Sequence, residues 1–118
     1  MKESGENYLE TIFLLSKEKQ GVHALDVAKA LSFSKPSVTR AMGILKKNDY
    51  ITIDELKHII LTDKGLAKAK EINERHEIIE QFWIKLGVSK DIAAKDACRM
   101  EHDISEETFL AIKKFVGS

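Results

Sequence analysis

Residues 23–51 read HALDVAKALSFSKPSVTRAMGILKKNDYI, and this stretch holds two helical patterns with a polar break between them. Apolar side chains at helical spacing predict a short amphipathic helix over residues 25–31. After the break at residues 32–34, Ser34 can cap a second helix and Pro36 can occupy its first turn, where a missing N–H costs nothing. Two short helices joined by a tight turn predict a helix-turn-helix.

After this stretch the spacing of the apolar residues is no longer helical. Residues 50–53 and 58–61 are rich in β-branched side chains and flank the polar segment 54–57, which predicts a short hairpin, the wing of a winged helix. Helical periodicity and capping residues predict four further helices, over about residues 4–19, 64–85, 89–102 and 105–117. The predicted fold is therefore mainly α, with a winged helix-turn-helix domain over residues 1–63 and a helical domain over residues 64–118.

The composition excludes several classes of protein. The chain has 118 residues with 19 Lys/Arg and 19 Asp/Glu, so a uniformly basic nucleic-acid coat is excluded. Its single cysteine excludes a disulfide framework. No apolar run approaches the ~20 residues of a membrane span, and the first residues lack the features of a signal peptide. We therefore expect a cytoplasmic protein with no membrane partner.

The charge is distributed unevenly along the chain. Residues 16–70 hold 11 Lys/Arg against 6 Asp/Glu, whereas residues 1–15 hold 1 against 3 and residues 71–118 hold 7 against 10. A basic centre between acidic ends favours a polyanionic partner for the middle of the chain.

The second helix of a helix-turn-helix lies in the major groove, and its first residues meet the base edges. Hydroxyl groups reach bases or phosphates, and arginine is the usual bidentate partner of guanine. The lysines further along would neutralise flanking phosphates. The predicted DNA-binding residues are Ser34, Lys35, Pro36, Ser37, Thr39, Arg40, Lys46, Lys47 and Lys57. A helical pair with a solvated polar face is the ordinary structural alternative.

Side chains of metal-ligand type recur at helical spacing in three of the predicted helices. Cys98, Glu101 and His102 stand at positions i, i+3 and i+4, so they can share one helical face. The other candidates are His76 and Glu80, one turn apart, and Asn7 and Glu10 on the first helix. Three helices that each present ligand-type residues are what a multidentate site in a helical bundle requires. Taken singly, a lone cysteine is most often a buried apolar residue, and the others are most often solvated.

Five segments fall in the order and spacing of one known family. They are Asn7-Tyr8-Leu9-Glu10-x-Ile12, Ser37-Val38-Thr39-Arg40, Leu61-Thr62-x-x-Gly65, Arg75-His76-Glu77-x-x-Glu80 and Cys98-x-x-Glu101-His102. Over essentially its whole length the chain resembles the diphtheria toxin repressor and manganese transport regulator family of metal-dependent repressors. The resemblance implies a winged-helix DNA-binding domain, a helical metal-binding and dimerisation domain, and a divalent metal as corepressor. It also implies a homodimer that binds palindromic operators and represses metal-uptake genes.

Matched position by position, the resemblance implies a ligand set that mixes two branches of that family. His76, Glu101 and His102 fall where both branches place ligands. Cys98 matches the iron-responsive branch, whereas Glu10 matches a ligand of the manganese branch. A thiolate favours Fe, Co, Ni or Zn, and carboxylates favour Mn, so Fe²⁺ or Mn²⁺ is the expected metal, with Co²⁺, Ni²⁺ or Zn²⁺ able to substitute.

Two further positions depart from the pattern of the family. Glu80 matches an ancillary-site ligand of the iron branch, but Ala94 stands where that site needs a histidine. Asn7 stands where the manganese branch has aspartate and the iron branch methionine. The sequence stops at Ser118, before the SH3-like third domain of the longer iron regulators, so a short two-domain form is expected.

The apolar faces of the last two predicted helices are the expected dimer surface, with Ile92, Phe109, Ile112 and Phe115 as its residues. A different regulator would sense oxidants through Cys98, which requires an exposed thiol of lowered pKa. A small hydrolase using Cys98, His102 and Asp103 is a remote alternative. Those positions point to different faces of one helix, and no oxyanion-hole loop is evident. We therefore expect a regulator and not an enzyme.

Overall fold

The computed structural model describes residues 3–117, which form six helices and two short strands. In chain order the elements are α1 (Glu3–Glu18), α2 (Ala24–Leu31), α3 (Lys35–Lys47), β1 (Ile51–Ile53), β2 (Ile59–Leu61), α4 (Asp63–Lys85), α5 (Lys90–Met100) and α6 (Glu106–Val116). The chain divides within α4, between Lys70 and Glu71, into two compact units. No helix in residues 3–117 has both the length and the apolar character that crossing a bilayer requires.

The helix-turn-helix is formed by α2 and α3, as the sequence predicts. Ser34 is the N-cap of α3, and its side-chain oxygen accepts a hydrogen bond from the backbone N–H of Ser37 at 3.3 Å. Pro36 lies in the first turn of the helix. The chain leaves α2 through Ser32, whose φ of 57° is left-handed, and the N–H of Phe33 bonds the carbonyl of Ala28. A serine therefore makes the turn that glycine often makes.

The wing is an antiparallel pair of three-residue strands. Ile51 lies opposite Leu61 and Ile53 opposite Ile59, so the hairpin closes over residues 54–58. The N–H of Ile59 also donates to the carbonyl of Val22 at 2.7 Å, which ties the hairpin to the segment before α2. The predicted wing is confirmed.

Helix α4 begins directly at the base of the wing. The Thr62 hydroxyl donates to the carbonyl of Asp49 at 2.6 Å and accepts from the N–H of Gly65 at 3.1 Å. The N–H of Thr62 bonds the carbonyl of Tyr50. A Cβ at residue 65 would collide with that same carbonyl oxygen, so glycine is required by the close approach of the two backbones.

The core of the first unit lies between α1, the helix-turn-helix and the wing. Its fully enclosed side chains include Leu9 and Ile12 of α1, Val38 of α3 and Ile51 of β1. The buried stripe of α3, which also includes Met42 and Leu45, leaves the opposite face of that helix exposed. Packing of this kind holds α3 firmly while its polar face remains available.

The second unit contains the remainder of α4 together with α5 and α6. Ile79, Ala97 and Phe109 form its buried cluster, and Nε1–H of Trp83 donates to Sδ of Met100 at 3.2 Å. Helix α5 ends at Met100, two residues before the predicted end at about His102. Glu101 is its C-cap, with φ −59° and ψ −23°, and His102 follows in a turn. The N–H of Glu101 still bonds the carbonyl of Ala97 at 2.9 Å, so Cys98 and Glu101 keep helical spacing and only His102 lies outside the helix.

The predicted dimer surface needs a correction as well. Phe109 and Ile112 are buried within the protomer itself, because the apolar face of α6 is needed to enclose the small core of the second unit. Ile92 of α5 and Phe115 of α6 are exposed, as expected for an interface, and Leu110 of α6 is exposed as well.

Candidate metal centre and nucleic-acid interface

The carboxylate of Glu101 is the centre of a polar cluster in the second unit. Its side chain has 0% exposure. Oε2 of Glu101 lies 2.8 Å from Nδ1 of His76, which α4 contributes. The other ring nitrogen of His76, Nε2, lies 3.4 Å from Oε2 of Glu80, one helical turn further along. The predicted pair His76 and Glu80 is thus brought together with Glu101.

His102 approaches the same carboxylate from the turn after α5. Its side chain is 1% exposed, and its Nε2 lies 3.2 Å from Oε1 of Glu101. Although that contact is close, the buried Oε1 has no hydrogen-bond partner among the described residues. A buried carboxylate oxygen without a partner is costly and calls for an explanation.

A divalent cation would supply that missing partner. Imidazole nitrogens and carboxylate oxygens are ligands that Mn²⁺, Fe²⁺, Co²⁺ and Zn²⁺ accept. Two imidazoles and one enclosed carboxylate converge here from α4 and the turn after α5, and a cation would neutralise the buried negative charge. The residues present therefore fit a divalent transition metal.

Arg75 takes part in this cluster as well, although the sequence patterns gave it no role. Nη1 of Arg75 donates to the carbonyl of Glu101 at 3.3 Å and to that of Ile104 at 3.4 Å, while Nη2 donates to Oε2 of Glu106 at 2.7 Å. The guanidinium lies 4.8 Å from the centroid of the Phe109 ring. Its position next to His76 was a signal, but an arginine on a helix of mixed charge is usually a surface residue.

The remaining predicted ligands occupy several settings. On α1, in the first unit, Glu10 is a buried carboxylate at 9% exposure and Asn7 is partly buried. Cys98 lies on α5 and is exposed, whereas the side chains of Glu101 and His102 are enclosed. Exposure is what the oxidant-sensing alternative requires of Cys98.

The predicted DNA-binding residues are all exposed on the first unit. They occupy the N-cap and first two turns of α3, the end of α3 and the wing, and they are Ser34, Lys35, Pro36, Ser37, Thr39, Arg40, Lys46, Lys47 and Lys57. Lys35, Thr39, Lys46 and Lys57 line an open cleft of about 810 Å³ between α3 and the wing. The Ser34 hydroxyl is used locally, since it also donates to Oγ of Ser37 at 2.8 Å.

Asp54 organises the tip of the wing, a role that the sequence analysis did not assign. Oδ1 of Asp54 accepts from the N–H of Leu56 at 2.9 Å and from the N–H of His58 at 2.8 Å. Oδ2 lies 3.1 Å from Nδ1 of His58. The backbone N–H of His58 is the main cause that lowers the pKa of the Asp54 carboxyl below 3.8. An aspartate just before a short turn was the available signal.

Two family models match adjoining parts of the chain. Residues 1–59 match the N-terminal DNA-binding domain of iron-dependent repressors. Residues 62–118 match the metal-binding and dimerisation domain of iron-dependent repressors. Together the two models account for nearly the whole sequence.

Relatives of known sequence agree with this assignment. The chain is 37% identical over 110 residues to the transcriptional regulator MntR of Escherichia coli O6:H1, covering 93% of this chain and 71% of that protein. It is 33% identical over 118 residues to an uncharacterised HTH-type transcriptional regulator of Methanocaldococcus jannaschii, covering 98% and 94% respectively. These relatives are transcriptional regulators, which confirms that the chain is a regulator and not an enzyme.

Solved structures show the same fold. The manganese regulator SloR superposes with a TM-score of 0.84 at 27% identity, covering 96% of this chain and 53% of SloR. The metal-dependent transcriptional regulator MtsR superposes with a TM-score of 0.89 at 25% identity, covering 99% and 55%. The chain spans about half the length of these two structures.

The matches confirm a winged-helix DNA-binding domain followed by a metal-binding dimerisation domain, and DNA and a second copy of the chain as its partners. They give no support to an oxidant sensor or a hydrolase. The chain belongs to the diphtheria toxin repressor and manganese transport regulator family of metal-dependent transcriptional repressors.

Proposed function

We propose that this chain is a homodimeric repressor that binds a palindromic operator when Mn²⁺ or Fe²⁺ is held by His76, Glu101 and His102. The observation that carries the proposal is the enclosed Glu101 carboxylate, whose Oε1 has no hydrogen-bond partner among residues 3–117 although an imidazole nitrogen lies 3.2 Å away. The carboxylate and both rings would be ligands of a metal ion in this place, and its positive charge would neutralise the carboxylate.

The chain's own residues prepare that position. The long helix α4 presents His76, and the end of α5 presents Glu101, so two elements fix the spacing of their donors. Nδ1 of His76 and Nε2 of His102 face different oxygens of one carboxylate, which orients both rings toward it. Enclosure of Glu101 and His102 excludes water, so competition from solvent ligands is reduced.

Four further candidate ligands remain predictions. Glu80 lies beside His76 and supports a second carboxylate near the imidazole. Asn7, Glu10 and Cys98 are proposed from their place in the sequence motifs. The similarity to the manganese regulator SloR favours Mn²⁺, whereas the cysteine favours Fe²⁺. We propose that the cell uses one of these two ions to control genes of metal homeostasis.

On DNA, we propose that α3 enters the major groove and that Arg40 reads a base while Lys46, Lys47 and Lys57 bind phosphates. The exposure of these side chains on a rigidly packed helix and wing supports this role. A two-fold dimer places two such helices on the same DNA, and its operator is therefore expected to be a palindrome. Because its partner is chromosomal DNA, we propose a cytoplasmic protein.

The test is an anaerobic titration with Mn²⁺ and Fe²⁺ in which binding to an operator is measured. The operator is selected from random-sequence DNA by the metal-loaded protein. His102→Ala is expected to lose metal-dependent binding and to retain weak non-specific binding. Asp103→Asn is the matched control, since Asp103 is the exposed neighbour of His102, and it should behave as wild type.

The same titration examines the switch itself. A corepressor shifts DNA binding only through its differential affinity for the DNA-competent state, and linkage is reciprocal. Operator DNA must therefore tighten metal binding by the factor by which metal tightens DNA binding. Equal metal affinities with and without operator would show that the metal is merely structural.

A further inference from the structure

Arg75 connects the ligand-bearing turn of the second unit to two helices. Its side chain is 14% exposed, and its guanidinium reaches the carbonyls of Glu101 and Ile104 as well as the carboxylate of Glu106. The guanidinium carbon lies over the ring of Phe109, 4.8 Å from its centroid. One arginine on α4 therefore holds both ends of the turn and the start of α6.

The turn that Arg75 holds is the one that presents two proposed ligands. Glu101 is the C-cap of α5 and His102 lies beyond the helix, so the ladder of helical hydrogen bonds does not fix the carbonyls of this segment. The N–H groups of Asp103 and Ile104 both bond the carbonyl of Met100, which makes the turn tight. Arg75 donates hydrogen bonds to two carbonyls of the turn, those of Glu101 and Ile104.

Arg75 also stands directly before His76 on the same helix. Arg75, which bonds the backbone at Glu101, and His76, whose ring faces the Glu101 carboxylate, are therefore consecutive residues of α4. A small shift of the turn would change the distances of 2.8 and 3.2 Å between the Glu101 carboxylate and the rings of His76 and His102. Metal sites lose affinity when the residues that orient their ligands are changed.

We infer that Arg75 is a positioning residue of the metal centre, which sets the turn bearing Glu101 and His102 at the distance that His76 requires. This inference rests on the proposed function, because it takes those three residues as the ligands. The planar fork of the guanidinium matters, since it offers several donors in a fixed geometry to two carbonyls and a carboxylate. Lysine keeps the charge but has no such fork, so it cannot replace arginine here.

The test compares Arg75→Lys with wild type in the full chain, with Mn²⁺ alone as the ligand in calorimetric titration. Arg75→Lys is expected to lower Mn²⁺ affinity roughly 10–100-fold while the metal-free protein keeps its cooperative thermal unfolding. With Co²⁺ as the probe, the visible absorption bands should shift, because the turn no longer holds its two ligands in the same geometry.

Lys113→Met is the matched control for this comparison. Lys113 also joins α6 to α4, through a 2.7 Å ion pair with Glu74, but that pair involves neither the turn nor its carbonyls. It should leave Mn²⁺ affinity and the Co²⁺ spectrum unchanged. If Arg75→Lys binds Mn²⁺ like wild type, or loses no more than Lys113→Met, the positioning role is wrong.

Two added measurements separate the possible failures. Glu101→Gln is expected to lose Mn²⁺ binding; if it binds normally, the proposed ligand set is wrong, whatever Arg75 does. If Glu101→Gln loses binding and Arg75→Lys does not, only the positioning role fails. Amide hydrogen exchange at Asp103 and Ile104 should be faster in metal-free Arg75→Lys than in wild type, and unchanged exchange would contradict the inference even if Arg75→Lys were less stable overall.

Discussion

At the scale of single residues, the carboxylate of Glu101 combines full enclosure with an incomplete set of hydrogen bonds. Such a group lowers the stability of the metal-free protein and increases the benefit of a bound cation. The buried carboxylate of Glu101 therefore destabilises the metal-free protein and favours metal binding.

Glu101→Gln is expected to change these two effects separately. A neutral amide costs less to bury than a carboxylate with an unpaired oxygen, so the metal-free variant should be more stable than wild type by about 1–3 kcal/mol in free energy of unfolding. With Mn²⁺ at about 100 times its Kd, wild type should gain ~2.7 kcal/mol and the variant nothing. Thermal or urea unfolding with and without Mn²⁺ measures both quantities. A metal-dependent gain in the variant would exclude Glu101 as a ligand.

Arg40 is predicted to read a base, so the loss of affinity when its side chain is removed should depend on the DNA sequence. Arg40→Ala should cost roughly 1–3 kcal/mol on the selected operator and relax specificity at one base pair. Lys47→Ala should weaken specific and random DNA alike and flatten the dependence on salt, because it removes a phosphate contact. Binding isotherms on both DNAs at several salt concentrations provide the comparison. Equal losses on the two DNAs for Arg40→Ala would count against base reading.

The types of the site residues could be predicted from the sequence more readily than their supports. His76, Glu101 and His102 belong to short motifs whose spacing is visible along the chain. Arg75 acts on carbonyls 26 and 29 residues away, and such contacts depend on tertiary packing. Cys98, Glu101 and His102 were expected on one helical face. Because α5 ends at Met100, His102 lies in the following turn, and the sequence did not show this.

At the scale of elements, the starts of helices followed from local chemistry. Ser34 and Ser105 each accept a hydrogen bond from the N–H three residues later, and a cap of this kind is readable from sequence. The end of α5 is different, because Arg75 donates to the carbonyls of Glu101 and Ile104. Without Arg75, these carbonyls would accept hydrogen bonds from a further helical turn or from water. Tertiary partners therefore decide where that helix stops.

The wing provides a prediction for pH. Hydrogen bonds from the His58 and Leu56 backbone lower the pKa of the Asp54 carboxyl, so the ionised form is favoured in the folded hairpin. Its stabilisation is fully present above the ordinary value of 3.8 and is lost as pH falls through the lowered pKa. Amide exchange at Leu56 and His58 should therefore gain protection, relative to unstructured peptide, as pH rises through the lowered pKa of Asp54, and the gain should be complete above its ordinary value of 3.8.

Asp54→Asn should weaken that protection at neutral pH and remove most of its acid dependence. Glu55→Gln is the control, since Glu55 is the exposed neighbouring carboxylate in the same turn. If Glu55→Gln and Asp54→Asn behave alike, general charge at the wing tip is responsible, and the hydrogen bonds of Asp54 are not.

At the scale of the whole molecule, dimerisation must use apolar surface that the protomer leaves exposed. Ile92, Leu110 and Phe115 meet that requirement in the second unit. Ile92→Glu should raise the dimer dissociation constant at least about 10-fold, because burial of an isoleucine contributes roughly 1.5–3 kcal/mol and two-fold symmetry counts each change twice.

Sedimentation across a range of protein concentrations measures the change. Ile44→Glu is the matched control, an exposed isoleucine of α3 in the first unit, and it should leave the dimer intact. A wild-type chain that sediments as a monomer at micromolar concentration would contradict the homodimer, while a dimer unaffected by Ile92→Glu would move its interface elsewhere.

The single hydroxyl of Thr62 has a consequence for local unfolding. It bonds the segment before β1 and the first turn of α4 at once, and Lys64 adds a 3.0 Å bond to the carbonyl of Asn48. The hairpin therefore cannot detach from its base unless the first turn of α4 unwinds with it. Wing and helix start should open in one cooperative event, so a protease that cuts the hairpin will meet an α4 already frayed at its beginning.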